Sequence, residues 1–576
     1  MAEVATGPGR LGRLRNVRWH DVFQLQTLII AGSLILVGFF ALVPLTRLLY
    51  GTFYDGQSIT FRFFSEAYNQ YRIGEMIANS IVFALGSTIL AVTIGTSLAY
   101  LNVRTDVPFK RLIFAASLVP LIIPGILHTI AWIFLASPRV GFINEMLEPI
   151  FGAATFNIFS MAGMIFIEGL HLSPLVFLLM VAAFKSMDPS LEESALASGA
   201  RLPTVIRRVT LPLVRPALFA AVLIMMVRGL EAFEVPALVG RVAGEWVFTS
   251  RIYRALNTYP IEYGNAGALA TSLLVLTSIG VFLQSRFSRT GKRYQTVTGK
   301  GFRPRPMELG KWRKPMTIAV FVYFFVAVVL PVMMLLYMST QNFYRSPSLE
   351  SLSDMTLDNY RYTFTNSQSI RALKNSFLLG IGSATAVMFV MAVVAWVVVR
   401  TKLKGRWLID NLAFLPLTVP GLVLGVALIF VYLRVPLPIY GTIWILFIAY
   451  FTRYMPYGMR YATTSMYQIS GELEESARVS GANWWQSFRR VLLPLLVPGV
   501  VAGWIYIVTV SVRELSSSIL LYSPGNEVLS ILIFQQWENG QTNELAALGV
   551  VMVVALVVLV AVASRLGARI GVRESH

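Results

Sequence analysis

The chain has 576 residues, of which 56% are hydrophobic and only 13% charged, with a mean hydropathy of +0.66. Soluble domains carry roughly 25% charged residues, so a deficit spread over the whole chain excludes a soluble enzyme or an ordinary multi-domain binding protein. The formal charge is +19, but the Lys and Arg sit in short segments between apolar runs instead of on one soluble module, which argues against a nucleic-acid partner.

In chain order, residues 1–26 hold four Arg and read as a cytoplasmic segment. The apolar run at 27–45 is longer than a secretory leader's apolar region and has no A-x-A-like site after it, so it predicts a first membrane helix, not a cleaved signal. A spanning helix needs about 20 apolar residues. Runs of that kind predict six spans near 27–50, 77–101, 112–136, 159–184, 213–239 and 264–285. Six more follow near 316–339, 375–399, 409–433, 441–462, 495–522 and 545–564. The runs are too long and too uniformly apolar for barrel strands, and the expected fold is all-α. With the N-terminus inside, cytoplasmic segments hold 31 Lys and Arg against 11 on the other side, and six lie in spans. That asymmetry predicts both termini in the cytoplasm. It divides the chain into a segment at 1–26, a first domain at 27–285, a Lys-, Arg-, Gly- and Pro-rich linker at 286–315, a second domain at 316–564 and a tail at 565–576.

The halves repeat. Asn79-Ser80 matches Asn375-Ser376, Arg104-Thr105 matches Arg400-Thr401, and Pro120, Pro124 and Gly125 match Pro416, Pro420 and Gly421, all at an offset of 296. Leu191-Glu-Glu-Ser-Ala195 matches Leu473-Glu-Glu-Ser-Ala477 at an offset of 282; the longer third external connection of the first half absorbs the difference. Six spans return the chain to the same side, so this is a parallel duplication about an axis along the membrane normal.

The loop 188–212 opens with Asp188 and Pro189, suited to start a helix, and its partner 470–494 opens with Ser470. Glu192, Glu193, Glu474 and Glu475 fall in the first turn, where the helix dipole favours carboxylates. Gly199 and Gly481 end the helices, after small residues including Ala195 and Ala477. A short helix of that kind at the membrane surface suits docking into another protein's groove. The pattern, followed by Leu211-Pro212 and Leu493-Pro494, resembles the EAA loop of binding-protein-dependent ABC importer permeases. The resemblance implies that Glu192, Glu193, Ala195, Gly199, Glu474, Glu475, Ala477 and Gly481 couple the chain to two copies of a cytoplasmic ATPase. It also implies a periplasmic substrate-binding protein, a place in the bacterial inner membrane, and two type I permease domains. Ser194 and Ser476 depart from the family's usual Ala, a small-for-small difference. Arg513-Glu-Leu-Ser-Ser-Ser-Ile-Leu-Leu-Tyr-Ser-Pro-Gly525 and Leu230-Glu-Ala-Phe-Glu-Val-Pro236 look like the fused permeases of ferric-iron importers, to which thiamine and phosphonate permeases are related. Thiamine, a phosphonate or a polyamine therefore stay open as cargo, as does an ion-coupled transporter or a membrane scaffold as another class.

No G-x-x-x-x-G-K-[ST] occurs, so ATP and Mg belong to the partner ATPase and this chain carries no cofactor and no catalytic residue. Cys is absent, and the four His (20, 128, 171, 576) show no metal-ligand spacing. Charges inside spans face protein and have partners. Glu168, His171, Arg228, Glu231, Glu234, Arg453, Arg513 and Glu514 are the pathway or gate candidates. Equivalence at offset 282 predicts an ion pair between Glu231 and Arg513. The external loops differ in sign: Arg241, Arg251 and Arg254 stand in 240–263, against Glu527, Glu538 and Glu544 in 523–544.

Overall fold

The computed structural model describes residues 25–152, 156–290, 306–401, 403, 405–433 and 435–569. The N-terminal arginines, half of the linker (291–305) and the last residues of the tail lie outside them. Among the described residues every element is helical apart from two isolated bridges.

The first half comprises α1 (Leu25–Phe53), α2 (Ile73–Arg104), α3 (Lys110–Leu118), α4 (Gly125–Ala136), α5 (Met161–Ser186), α6 (Ser190–Ala197), α7 (Leu211–Glu231), α8 (Phe248–Asn257) and α9 (Tyr263–Thr290). The second comprises α10 (Arg313–Phe324), α11 (Leu330–Ser339), α12 (Ser367–Arg400), α13 (Arg406–Phe414), α14 (Gly421–Tyr432), α15 (Ile443–Gln468), α16 (Gly471–Val479), α17 (Leu493–Val512), α18 (Leu529–Glu538) and α19 (Thr542–Arg569). Nine helices among the described residues are long and apolar enough to cross a bilayer. The 26-residue α15 also has the length, at 1.5 Å per residue, but carries Arg453, Arg460 and a series of tyrosines.

The expected spans at 112–136 and 409–433 are not straight. The first segment turns by 97° between Leu121 and Gly125, and the second by 107° between Thr418 and Gly421. Pro124 and Pro420 have no N–H to offer and force an extended residue before them, so the helix stops and a new one starts at the following glycine. The resulting half-helices α4 and α14 are buried along almost their whole length. The expected spans 213–239 and 495–522 also end early, at Glu231 and Val512; the chain then breaks for two residues before a short helical stretch over 234–243 in the first half, and runs through turns in the second.

Each half is not packed only on itself. α1 lies against α13 and α14 of the second half, and α11 lies against α4 of the first. Gly51 of α1 meets the Phe430 ring, which a Cβ there would approach to 3.1 Å. Within each half, the long helix α2 or α12 packs along α5 or α15. At this crossing in the first half, Gly86 and Gly95 of α2 face Ile165 and Val176 of α5, and Gly169 of α5 faces Leu90 of α2; in the second half Gly458 of α15 faces Val387 and Met391 of α12. These small residues let the backbones approach.

The repeated Asn-Ser pair has a structural reason. Ser80 Oγ accepts from Phe248 N at 3.1 Å and Ser376 Oγ accepts from Leu529 N at 2.7 Å, capping α8 and α18. Asn79 donates to the Glu245 carboxylate and Asn375 to the Glu527 carbonyl. Both α8 and α18 are thereby fixed to the long helix of their half.

Candidate functional site: two surface helices and two bends

α6 and α16 form as expected, within one residue of the predicted starts. Asp188 Oδ1 accepts from Ser190 N at 2.9 Å, which also holds its carboxyl below the usual carboxylate range. Ser470 Oγ accepts from Glu472 N. At the other end Gly199 and Gly481 have φ of +83° and +85°. Ala200 N returns to the Ala195 carbonyl and Ala482 N to the Ala477 carbonyl, closing a Schellman turn in each helix. A Cβ on either glycine would meet nothing within 4 Å. Glycine is therefore required by backbone conformation and not by space. Leu191 and Leu473 are exposed at equivalent positions, as is Glu475, while Glu193 is half-buried. The two helices present like surfaces.

The first glutamate of each motif turns inward. Glu192 is 3% exposed and accepts from Arg104 Nε at 2.9 Å and from Arg104 Nη2 and Thr210 Oγ1. Glu474, equally buried, accepts from Trp396 Nε1 at 3.1 Å, with Arg400 Nε 3.9 Å away. Arg400 donates instead to the Met466 and Ile469 carbonyls. Trp396 in turn packs edge-on to Trp484, which stacks on Phe488. Each surface helix is thus fastened to the C-terminal end of the long helix α2 or α12. Sequence reasoning noted Arg104 and Arg400 only as repeat markers; their conservation between halves was the available signal.

The pathway candidates gather at the bends. Arg453 donates to Glu514 at 3.1 Å, and Glu514 also accepts from Tyr454 at 2.9 Å and from Ser517 N and Oγ. Arg453 lies against Gly421, where a Cβ would come within 2.5 Å of Nη1. The equivalent His171 lies against Gly125, together with Glu234. Arg228 is 3.8 Å from Glu231 and donates to Tyr457 across the halves. The expected Glu231–Arg513 pair is absent from the ion pairs of the described residues. Arg513 donates instead to the Leu121 carbonyl, an unsatisfied helix-end acceptor at the first bend. Symmetry-equivalent positions face each other only close to the axis, and equivalence alone does not place them there. Among the described residues no three His, Asp or Glu side chains stand close enough to hold a metal ion.

The segments 240–263 and 523–544 use much of their charge internally. Arg241 pairs with Glu538 at 2.8 Å, joining the halves; Arg254 lies over Trp246; and Glu527 is 5% exposed, accepting from Gly525 N. Glu527 is therefore not part of an acidic docking face. Beside Glu538, a cleft of about 300 Å³ is lined by Gln368, Gln535, Gln536 and Gln541.

The chain matches the family described as binding-protein-dependent transport system inner membrane component, at residues 91–289 and again at 389–574. It is 26% identical over 537 residues to a ferric transport system permease protein of Actinobacillus pleuropneumoniae, covering 92% of this chain and 76% of that one. It is 27% identical to a putative ferric transport system permease protein of Haemophilus influenzae, covering 88% and 80%. A putative 2-aminoethylphosphonate transport system permease protein of Salmonella paratyphi A is 28% identical over 190 residues, covering 32% and 71%. The two matched stretches together span more than half of the chain, and the chain belongs to this family of inner-membrane permeases, with the domain present twice.

Proposed function

We propose that this member of the binding-protein-dependent permease family is the translocating subunit of an ATP-driven importer whose cargo is ferric iron. The observation that carries the coupling is the pair of Schellman-capped helices α6 and α16, each with an exposed leucine and each fastened to a long spanning helix. Two copies of a separate ATPase would receive them at the cytoplasmic face, where the N- and C-termini also lie. Closure of the ATPases on ATP would draw α6 and α16 together. Because Glu192 and Glu474 engage the ends of α2 and α12, the displacement would pass to those helices and to α5 and α15 packed along them. The bends at Pro124 and Pro420 lie against α5 and α15 through Gly125 and Gly421, so the central half-helices would move with them. A periplasmic binding protein would release cargo at the external face, above α8 and α18. The chain supplies no bond-making chemistry; its work is alternating access. Ferric iron as cargo is supported by the curated relatives that align along most of the chain, whereas the phosphonate relative aligns with a third of it.

The test is uptake of radiolabelled ferric iron by an iron-starved strain lacking this gene. It is complemented with the wild type or with the Gly199→Arg/Gly481→Arg variant. Restoration by the wild type and loss in the variant is the expected result. No restoration, with the protein in the membrane and co-purifying an ATPase, would retain the importer and replace iron by a phosphonate. Uptake that persists without any ATPase would turn the reading to an ion-coupled transporter.

A further inference from the structure

The two bends are built on the same backbone plan, yet their polar groups are in different states. At Gly421 the ion pair Arg453–Glu514 is closed, with Tyr454 and Ser517 completing the carboxylate's hydrogen bonds. At Gly125 no ion pair closes among the described residues, and the Glu234 carboxyl is met by the backbone N–H groups of Phe233 and Glu234. Glu168 stands where the second half has Tyr450, and His171 where it has Arg453. Glu168 is 6% exposed, and no ion pair among the described residues reaches it or Glu234. A Cβ on Gly125 would lie 3.4 Å from His171 Nε2 and 3.7 Å from the Glu234 carboxyl carbon, so both side chains reach the same small volume. Glu168 is one turn before His171 on α5 and within electrostatic reach of Glu234. The buried His128 ring, centred 5.8 Å from that of His171, makes no well-formed hydrogen bond through either nitrogen, and His171 Nδ1 also lacks a partner. Arg513 lies nearby, and its guanidinium is engaged by the Leu121 carbonyl.

Ionisable groups that face the protein interior within a membrane mark substrate and ion pathways. Given the ferric reading of the cargo, on which this rests, we infer that Glu168, His171 and Glu234 form a one-sided way station for the metal cation, while the Arg453–Glu514 network is fixed scaffold. Carboxylate oxygen and imidazole nitrogen are donors that iron accepts. Since no three of these groups converge, the cation meets one or two protein ligands at a time and keeps water for the rest. Contact that weak and that distributed lets cargo leave as readily as it enters. The pair of carboxylates also selects charge: the cargo crosses here as a hydrated cation, not as an anionic chelate.

The test uses the complete importer in proteoliposomes, the full chain with its ATPase and iron-loaded binding protein, and reads iron imported per ATP hydrolysed. In Glu168→Gln/His171→Asn/Glu234→Gln, binding-protein-stimulated hydrolysis should stay within about twofold of wild type while iron per ATP falls at least about tenfold. Glu168→Tyr/His171→Arg, which installs the second half's residues, should do the same. A wild-type ratio in the triple variant overturns the way station and leaves the ferric reading intact. Wild type that hydrolyses ATP and imports no iron overturns both. Should the triple variant also lose hydrolysis, His171→Asn alone decides: a lowered ratio supports the way station and an unchanged one overturns it.

Discussion

α6 and α16 are alike in backbone and unlike in how they are held. Both begin on a side-chain cap, both end in a left-handed glycine, and both expose a leucine at the same position. Beneath that common surface, α6 is held by a buried ion pair closed by Thr210, and α16 by an indole hydrogen bond inside a cluster of Trp396, Trp484 and Phe488. Leu492 stands where Thr210 would be and Tyr100 where Trp396 would be, so the second half lacks the hydroxyl that closes the first anchor and the first half lacks the indole of the second. The contrast separates what a partner reads, which is the surface and the turn, from what only has to be rigid. The turn geometry is retained in both copies, and the anchor has diverged.

The comparison breaks or sharpens under substitution. The largest effect is expected for Glu192→Ala, which leaves Arg104 buried without its charge partner; removing one member of a buried pair costs about 3–5 kcal/mol. The melting temperature of the detergent-purified chain should fall, and coupled uptake with it. Glu474→Ala should cost clearly less, because Arg400 keeps two backbone carbonyls; equal losses would remove the distinction. Next come Gly199→Ala and Gly481→Ala. Each forces an L-residue into a left-handed conformation at about 1–2 kcal/mol, and the two should be equal in the same melting experiment, since the turns are equal. Trp396→Phe should follow, at about 0.5–1.5 kcal/mol for one hydrogen bond; Tyr100→Phe, whose hydroxyl reaches Met307 and not Glu192, should leave the first anchor unaltered in a hydrogen-exchange measurement on α6. Smallest is Arg241→Ala. Its pair with Glu538 is partly exposed, within the range of about 0–1 kcal/mol for surface ion pairs, and whatever effect appears should vanish at high salt.

The surface helices were legible because each is a local device: cap, dipole and glycine fall within a dozen residues, and the chain states them twice. The spans were legible from apolar length alone. What the sequence did not disclose is what depends on distant contacts. Arg104 meets Glu192 across 88 positions, and nothing local to either residue names the other. Pro124 and Pro420 announce an interruption, but its size of about a right angle follows from the space left by neighbouring helices. The offset of 282 paired Glu231 with Arg513 as equivalents, and equivalence was mistaken for contact. It did align His171 with Arg453, and that alignment places both against a glycine at a bend. Glu527 and Glu538 read as free loop charge because a sequence does not distinguish a turn that consumes its own carboxylate from one that displays it.

The crossing of α1 onto α13 and α14 has a consequence for the order of events at the ribosome. About 370 residues separate the end of α1 from the start of α14, and at about 5–20 residues per second the gap is roughly 20–70 s of synthesis. Throughout that interval the face of α1 that meets α13 and α14 stays uncovered, although α9 of the first half already packs against α1, and α4 likewise waits for α11. The first half therefore cannot mature as a unit ahead of the second. Nascent chains arrested before Gly421 should remain open to proteolysis in the external loops of the first half, and should close only when α14 has been inserted.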